Sequence, residues 1–497
     1  MAETRLNPRT PILVGGGQVN ERHGGREPVD LIAEAARLAA DEAGCAGLLS
    51  RLESIRVVGM LSWRYRNAAA LVAERLGAPV RHTGYTGTGG SNPQALVNAA
   101  AEDIAAGRCD AVLVGGAEAW RTRMRLRAEG QRPDWTRQDE SMAPPDLLIA
   151  DVPMIFENQQ RIGLDRPAYV YPLFEQALRI AAGRSADDQR AMIGDLWARF
   201  SHVAAVNPHA WTQRSYPAAE IITPSPGNRW VSSPYTKLLN SNTNVEQGAA
   251  VLLCSVDMAV RMGVPRDNWV FLHAGTEAHD SYDIGTRENL HRSPAIREAG
   301  AELLRLGATG IDDIEHMDLY SCFPSAVQVA AGELGLDVQD RARPLTVTGG
   351  LTFAGGPWSN YSTHAIATMA TLLRNDPGST GLVTANGGYL TKHAMGLYST
   401  QPPAQAFRRA DIQHRVDAYP TRRSLAEYEG MASVETWTVV FDRAGAPQCG
   451  MASVLTADGA RAFASTSDAD SVTAMTNEDV HNAKVSVARD GSFAFCE

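Results

Sequence analysis

Thr86-Gly-Thr-Gly-Gly-Ser-Asn-Pro-Gln-Ala-Leu-Val-Asn-Ala-Ala-Ala-Glu-Asp-Ile-Ala-Ala-Gly-Arg-Cys-Asp-Ala-Val-Leu-Val-Gly-Gly-Ala-Glu118 is the stretch whose reading decides the fold. Thr86 to Asn92 is a turn-rich loop. Pro93 suits a first helical turn, where its missing N–H would have no partner anyway. From Ala95 to Ala106, Leu96, Val97, Ala100 and Ile104 share one face at helical spacing, and Gly107 is the stop signal. Ala111-Val-Leu-Val114 is a continuous apolar run before Gly115-Gly116, the pattern of a parallel strand buried on both faces. Loop, helix and buried strand make one α/β unit.

Upstream, the same grammar holds. Pro11 to Val14 is a short strand closed by glycines, Leu31 to Ala43 an amphipathic helix, Ser54 to Met60 a strand, and Asn67 to Leu76 a helix ended by Gly77. Residues 120 to about 240 break the alternation. They are rich in Arg, Trp, Pro and Met and read as a mostly helical insertion, after which Ala249 to Ser255 restores a buried strand. A second half repeats the order: a helix from Ser293-Pro294 to Leu306, a strand His316 to Tyr320, a Gly-rich stretch Gly349 to Pro357, a helix Ser362 to Leu373, a strand Gly381 to Thr384 and the turn Gly387-Gly388. Two βαβ-rich halves predict duplicated α/β units spanning 1–265 and 266–415. Beyond about 420 the pattern changes to alternating apolar and polar residues in Val434 to Phe441, Gly450 to Leu455, Arg461 to Ser465 and Lys484 to Val487. Residues 420–497 therefore read as a small β-rich unit, barrel-like or OB-like.

The totals agree with this. At roughly 100–200 residues per domain, 497 residues predict about three domains. The net charge of −10 repels phosphate backbones, and no basic run with interleaved aromatics exists, so nucleic acid is not an expected partner. No basic-then-apolar leader and no long apolar run occur, which predicts a cytoplasmic chain without a membrane span. The six cysteines are scattered without a CxxC pair, so reduced thiols and no metal site are expected.

Five motifs in order resemble those of thiolases. Gly89 to Glu118 resembles the nucleophile region, and Ser241 to Ala250 the Asn/Ser-rich segment before a Gly-Ala-Ala strand. Leu319-Tyr-Ser-Cys-Phe323 resembles the His-Asp-Cys-Phe loop of sterol-carrier-protein-type thiolases. Gly349-Gly350 through Gly355-Gly356-Pro357 resembles the Gly-Gly…Gly-His-Pro loop, and Ala385-Asn-Gly-Gly388 the late Cys-x-Gly motif. The correspondence runs over residues 8–400, and the added C-terminal unit resembles the thiolase-like protein type 1 group. The resemblance implies an α/β thiolase fold of two duplicated half-domains in five layers, with an acyl-CoA pocket between them and coenzyme A thioester as ligand rather than a resident cofactor.

The same alignment of motifs implies that the thiolase chemistry is lost. A thiolase takes the acyl group on a thiolate, because an alcohol or amide is a poorer nucleophile near neutral pH. Here the nucleophile position is Gly89, the His of His-Asp-Cys-Phe is Tyr320, the His of Gly-His-Pro is Gly356, and the Cys of Cys-x-Gly is Ala385. Claisen condensation and thiolysis through an acyl-enzyme are expected to be absent. Cys322 reads chiefly as a packed neighbour, and Ser91 as a helix N-cap.

Tyr320, Tyr361, His364 and His393 remain as candidate catalytic residues, each with a packing alternative. A phenol whose pKa is lowered by neighbours can take a proton from a β-hydroxyl, the demand of a retro-aldol on a 3-hydroxyacyl thioester. Steroid side-chain aldolases of the lipid-transfer type are thiolase-like, lack the Cys and work beside a small β-barrel partner, which supports that reading by analogy. Ser91, Ser241, Gly349, Gly350, Gly355 and Gly356 are the expected ligand contacts. The alternative function is a non-catalytic acyl-CoA or lipid carrier. A monomer and a homodimer are both compatible with the sequence, as is a protein partner for the C-terminal unit.

Overall fold

The computed structural model describes residues 6–496. Its largest element is a mixed sheet built twice on one plan. In the N-terminal half the first strand, Pro11–Asn20, pairs antiparallel with the last, Glu246–Ser255. That strand pairs antiparallel with Ala111–Ala119, which runs parallel to Ser54–Val57 and on to His82–Thr86. In the C-terminal half the first strand, Val270–His279, pairs antiparallel with Lys392–Ser399. That strand pairs antiparallel with Thr380–Gly387, which runs parallel to His316–Asp318. The two first strands touch through Ile12 with Phe271 and Leu13 with Val270, so the halves form one continuous sheet at a short seam.

Helices Asn92–Ala105 and Tyr361–Asn375 lie between the two halves and pack on both. Helix Pro28–Glu42 covers the outside of the first half, and Pro294–Gly307 with Pro324–Leu334 the outside of the second. The result is the five-layered thiolase arrangement, with helices outside, sheets beneath them, and a central helical layer. The central helices are buried along almost their whole length, which is why their sequences are Ala-rich and carry only a weak amphipathic stripe.

Residues 120–245 are the expected helical insertion, with helices Trp120–Ala128, Pro167–Ala181 and Ala186–Val206. The insertion also supplies a strand, Asp146–Ile149, which lies parallel to His82–Thr86 and covers that edge of the sheet. The C-terminal residues form a curled antiparallel sheet in the order Arg461–Thr466, Pro447–Thr456, Gly430–Phe441, Lys484–Val487, Phe493–Phe495. Its two outer strands meet at a single bridge, Ser465 with Ser492. Polar contacts join it to the rest, among them the Arg179–Asp479 ion pair at 2.9 Å and two further anchors. Ser232 of the insertion pairs with Val440. The fully buried Arg461 forms a fork on Glu435 at 2.7 Å through each nitrogen and donates to the carbonyls of Gly285 and Arg287.

Candidate functional site

A cavity of about 640 Å³ opens at the N-termini of the two central helices. Five loops meet there. The turn after His82–Thr86 brings Thr88, Gly89 and Gly90, and the loop after His316–Asp318 brings Tyr320, Cys322 and Phe323. The loop before Tyr361–Asn375 brings Gly356, Trp358 and Ser359, the hairpin joining Thr380–Gly387 to Lys392–Ser399 brings Asn386 and Lys392, and the insertion closes the far wall with Asp151, Arg166, Tyr171 and Ser241.

The space beside Gly89 and Gly90 is occupied by other atoms. A β-carbon on Gly89 would stand 2.8 Å from the Lys392 Nζ and 3.1 Å from the Asn92 Oδ1, and one on Gly90 would collide with the Tyr320 hydroxyl. Among the described residues, no protein group hydrogen-bonds the Tyr320 hydroxyl. Its ring packs edge-on against Tyr361 at 5.4 Å. Burial, and then the nearby Cys322, push the Tyr320 pKa up. The expected lowering is therefore reversed: Tyr320 stays a neutral hydrogen-bond donor. Burial likewise pushes the Cys322 thiol up to about 12, so at neutral pH it is no nucleophile. Ser241 reaches the cavity rim and donates from its hydroxyl to the Cys322 carbonyl at 2.8 Å.

The other candidates lie elsewhere. The Tyr361 hydroxyl is consumed in a buried network, donating to the Asp318 Oδ1 at 2.8 Å and meeting the Thr348 hydroxyl at 2.5 Å. His364 faces the strand Pro11–Asn20, with its Nδ1 2.9 Å from the Gln18 Oε1. Burial, then His209, depress its pKa to about 3. His393 does not line the cavity; it sits in a pinhole behind Tyr320 and Asn386, which it shares with Ala385 and Ile296, and lies 3.6 Å from Asp280. Ser91 does not cap its helix through its side chain, because its backbone is already helical, and it does not line the cavity. Gly349, Gly350 and Gly355 have positive φ, and a β-carbon on them would run into Ala204, into Ser321 and Phe200, and into Gln247. They let the loop pack closely against the insertion helix Ala186–Val206, Ser321 and the strand Glu246–Ser255, and do not line the cavity; Gly356 alone of the four does. Arg121, Arg123 and Arg125 are spent on carbonyls of Arg22, Leu61 and Ser62 and on Glu129.

Sequence reasoning missed Asn386 and Lys392. Asn386 lies within the Ala385 to Gly388 motif and Lys392 just beyond it, and strand alternation is the available signal for the second: if His393 faces the outer helices, Lys392 beside it faces inward. Asn386 donates to the Tyr171 hydroxyl at 3.0 Å, while its own Oδ1 is buried without a donor. Among the described residues no cluster of His, Cys, Asp or Glu is placed to hold a metal ion, and no helix is long and apolar enough to cross a membrane.

The duplicated sheets and the loop-built cavity define a thiolase-fold protein. A monomeric SCP2-thiolase-like protein type 1 from Mycobacterium smegmatis is 31% identical, aligned over 99% of this chain and 100% of that one with a TM-score of 0.84. Residues 411–492 match the additional C-terminal domain of thiolase-like protein type 1. The chain belongs to the SCP2-thiolase-like protein type 1 family. The Ltp2–ChsH2(DUF35) aldolase is similar over 80% of this chain and 99% of that one, at 18% identity and a TM-score of 0.59. Acetyl-CoA acetyltransferase from Syntrophomonas wolfei is similar over 79% and 99%, at 15% identity and 0.57. These two likenesses concern the fold. No curated protein sequence matches the chain.

Proposed function

We propose that the chain binds acyl-CoA-type thioesters in this cavity and acts on them without an acyl-enzyme, by retro-aldol cleavage of a 3-hydroxyacyl thioester. The observation that carries the reading is the replacement of the nucleophile's seat by the Lys392 amine and the unpaired Tyr320 hydroxyl. Carbon–carbon cleavage of a 3-hydroxyacyl thioester needs a proton acceptor at the β-hydroxyl and a donor for the enolate oxygen, and no thiol. Tyr320, neutral and free to donate, suits the enolate oxygen. The mostly apolar walls suit an alkyl or sterol-like acyl group.

Mass-spectrometric screening of 3-hydroxyacyl-, 3-ketoacyl- and simple acyl-CoAs, with and without free CoA, tests this. The expected result is a shortened CoA thioester plus an aldehyde or ketone from a 3-hydroxyacyl-CoA alone. Products from 3-ketoacyl-CoA plus CoA would mean thiolysis and overturn it. A carrier role is the second reading, favoured by the positions of Tyr361, His364 and His393 away from the cavity. It predicts binding with no product from any member of the panel.

A further inference from the structure

Of the 46 Lys and Arg residues only three are lysine: Lys237, Lys392 and Lys484. The distinction matters chemically. A guanidinium keeps its proton in proteins, whereas an amine can lose one when desolvated and then act as base or nucleophile. Lys237 and Lys484 are exposed. Lys237 sits at the open rim of another hollow, and among the described residues Lys392 alone of the three is partly buried and lines the cavity described above.

Its setting is unusual for a cation. Among the described residues no carboxylate lies within ion-pair distance of Lys392, and its one acceptor is the Thr88 carbonyl at 3.0 Å. Asp151, across the rim, is already taken by the Thr88 amide at 2.6 Å. The remaining ionisable groups of the cavity are Arg166, Tyr171, Tyr282, Tyr320 and Cys322. None is an anion near neutral pH that would pair with an ammonium. Burial lowers the Lys392 pKa, and Asp151 opposes that only in part. The backbone aims the amine: Lys392 pairs with Gly387 at the end of the hairpin, and the β-carbon missing from Gly89 leaves room for Nζ where a cysteine side chain would stand.

We infer that Lys392 is the working base of the cavity, taking the β-hydroxyl proton of a 3-hydroxyacyl thioester and returning it to the enolate carbon. This rests on the retro-aldol reading above. In a thiolase the group at residue 89 bonds the acyl carbon, so an amine in its seat faces that carbon's oxygen when the substrate carries a carbinol there. The neutral amine takes the hydroxyl proton and becomes an ammonium. The C2–C3 bond breaks, its electron pair passing to C2 and the thioester oxygen, while C3 keeps its oxygen as an aldehyde or ketone. The Tyr320 hydroxyl donates to the enolate oxygen. The ammonium then protonates C2, which restores the amine and leaves a shortened acyl thioester. No oxidant, reductant or water is consumed.

Two measurements on the full chain test this separately from the reaction class. Formaldehyde with sodium cyanoborohydride at pH 7, followed by peptide mass mapping, reads which of the three amines is neutral and reachable. Dimethylation of Lys392 ahead of Lys237 and Lys484 is expected. Lys392 left unmodified while the other two react would overturn the assignment. Turnover is then compared in Lys392→Met and Lys392→Arg, with CoA-thioester affinity measured on the same samples. A loss of about 100-fold or more in kcat for both, with affinity retained, is the expected result, in line with the usual worth of a positioned base. Wild-type turnover in either variant would overturn the assignment. Absence of any turnover in the wild-type chain would remove the retro-aldol reading, and the labelling would still decide whether Lys392 is the reactive amine.

Discussion

Replacing Arg461 with methionine should loosen the C-terminal sheet from the core, and the size of the effect follows from its contacts. Arg461 is 0% exposed. Its fork on Glu435 is bidentate at 2.7 Å, and it also satisfies carbonyls on the segment Ile284 to Arg287. Glu435 keeps one other partner, the Ser453 hydroxyl at 2.6 Å. Removing the cation leaves a largely buried carboxylate, its side chain 16% exposed, without its ion partner, which costs up to about 3–5 kcal/mol, whereas replacing both partners costs much less. Burial raises the Glu435 pKa, but Arg461 and then Ser453 outweigh it, so in the native chain the group titrates below its ordinary value. Its contribution is therefore present above the unfolded pKa and lost as pH falls through the folded one. In Arg461→Met the balance inverts: the Glu435 pKa rises, and the variant recovers stability as the carboxyl protonates below pH 7. The assay is native-state hydrogen exchange of the amides in Gly430–Phe441 and Arg461–Thr466. Exchange should accelerate by roughly two to three orders of magnitude at pH 7.5, since each 1.4 kcal/mol is about tenfold, and by less at pH 5. The double variant Glu435→Gln/Arg461→Met should recover much of the protection. An equal acceleration at both pH values, or a double variant no better than the single one, would refute the reasoning.

Tyr320→Phe should lower turnover of a cleavable 3-hydroxyacyl-CoA by about 100-fold, the usual loss on removing one oxyanion donor, with Kd for the thioester unchanged; unaltered kcat in a steady-state assay would remove Tyr320 from the reaction. Tyr361→Phe should instead act on stability, lowering it by about 1–3 kcal/mol because the buried Asp318 loses a donor, while turnover stays at the wild-type level. Iodoacetamide at pH 8 should label the exposed Cys496 and spare Cys322, whose thiol titrates near 12, as peptide mapping would read. The insertion strand Asp146–Ile149 already occupies the edge of His82–Thr86, so light scattering should give one 53.4 kDa chain.

The duplicated α/β plan was legible because it is written in local signals. Parallel strands buried on both faces leave runs such as Ala111 to Val114, and glycine stops such as Gly107 need no distant partner to be read. The glycine at residue 89, where the resemblance leads one to expect the thiolase thiol, was also a matter of residue identity. What those motifs could not carry was direction. Tyr361, His364 and His393 all sit beside the right loops, but each side chain leaves its backbone toward a different layer: one toward the buried Asp318, one toward Gln18, one toward the outer helices. Gly349, Gly350 and Gly355 have the same limitation, since a glycine-rich loop can admit either a ligand or neighbouring protein atoms, and here it admits Ala204, Phe200 and Gln247.

The sequence alone therefore determined the class of fold and the identity of the residue at position 89, because these depend on periodicity and on which atoms a residue has. Only the tertiary structure decided which groups share the cavity. Lys392 and the residue-89 position are more than 300 positions apart, and their meeting depends on a hairpin in one half reaching a helix N-terminus in the other. The charge state of Tyr320 and Cys322 was decided there too, because desolvation is set by everything packed around a group and by nothing in its immediate sequence.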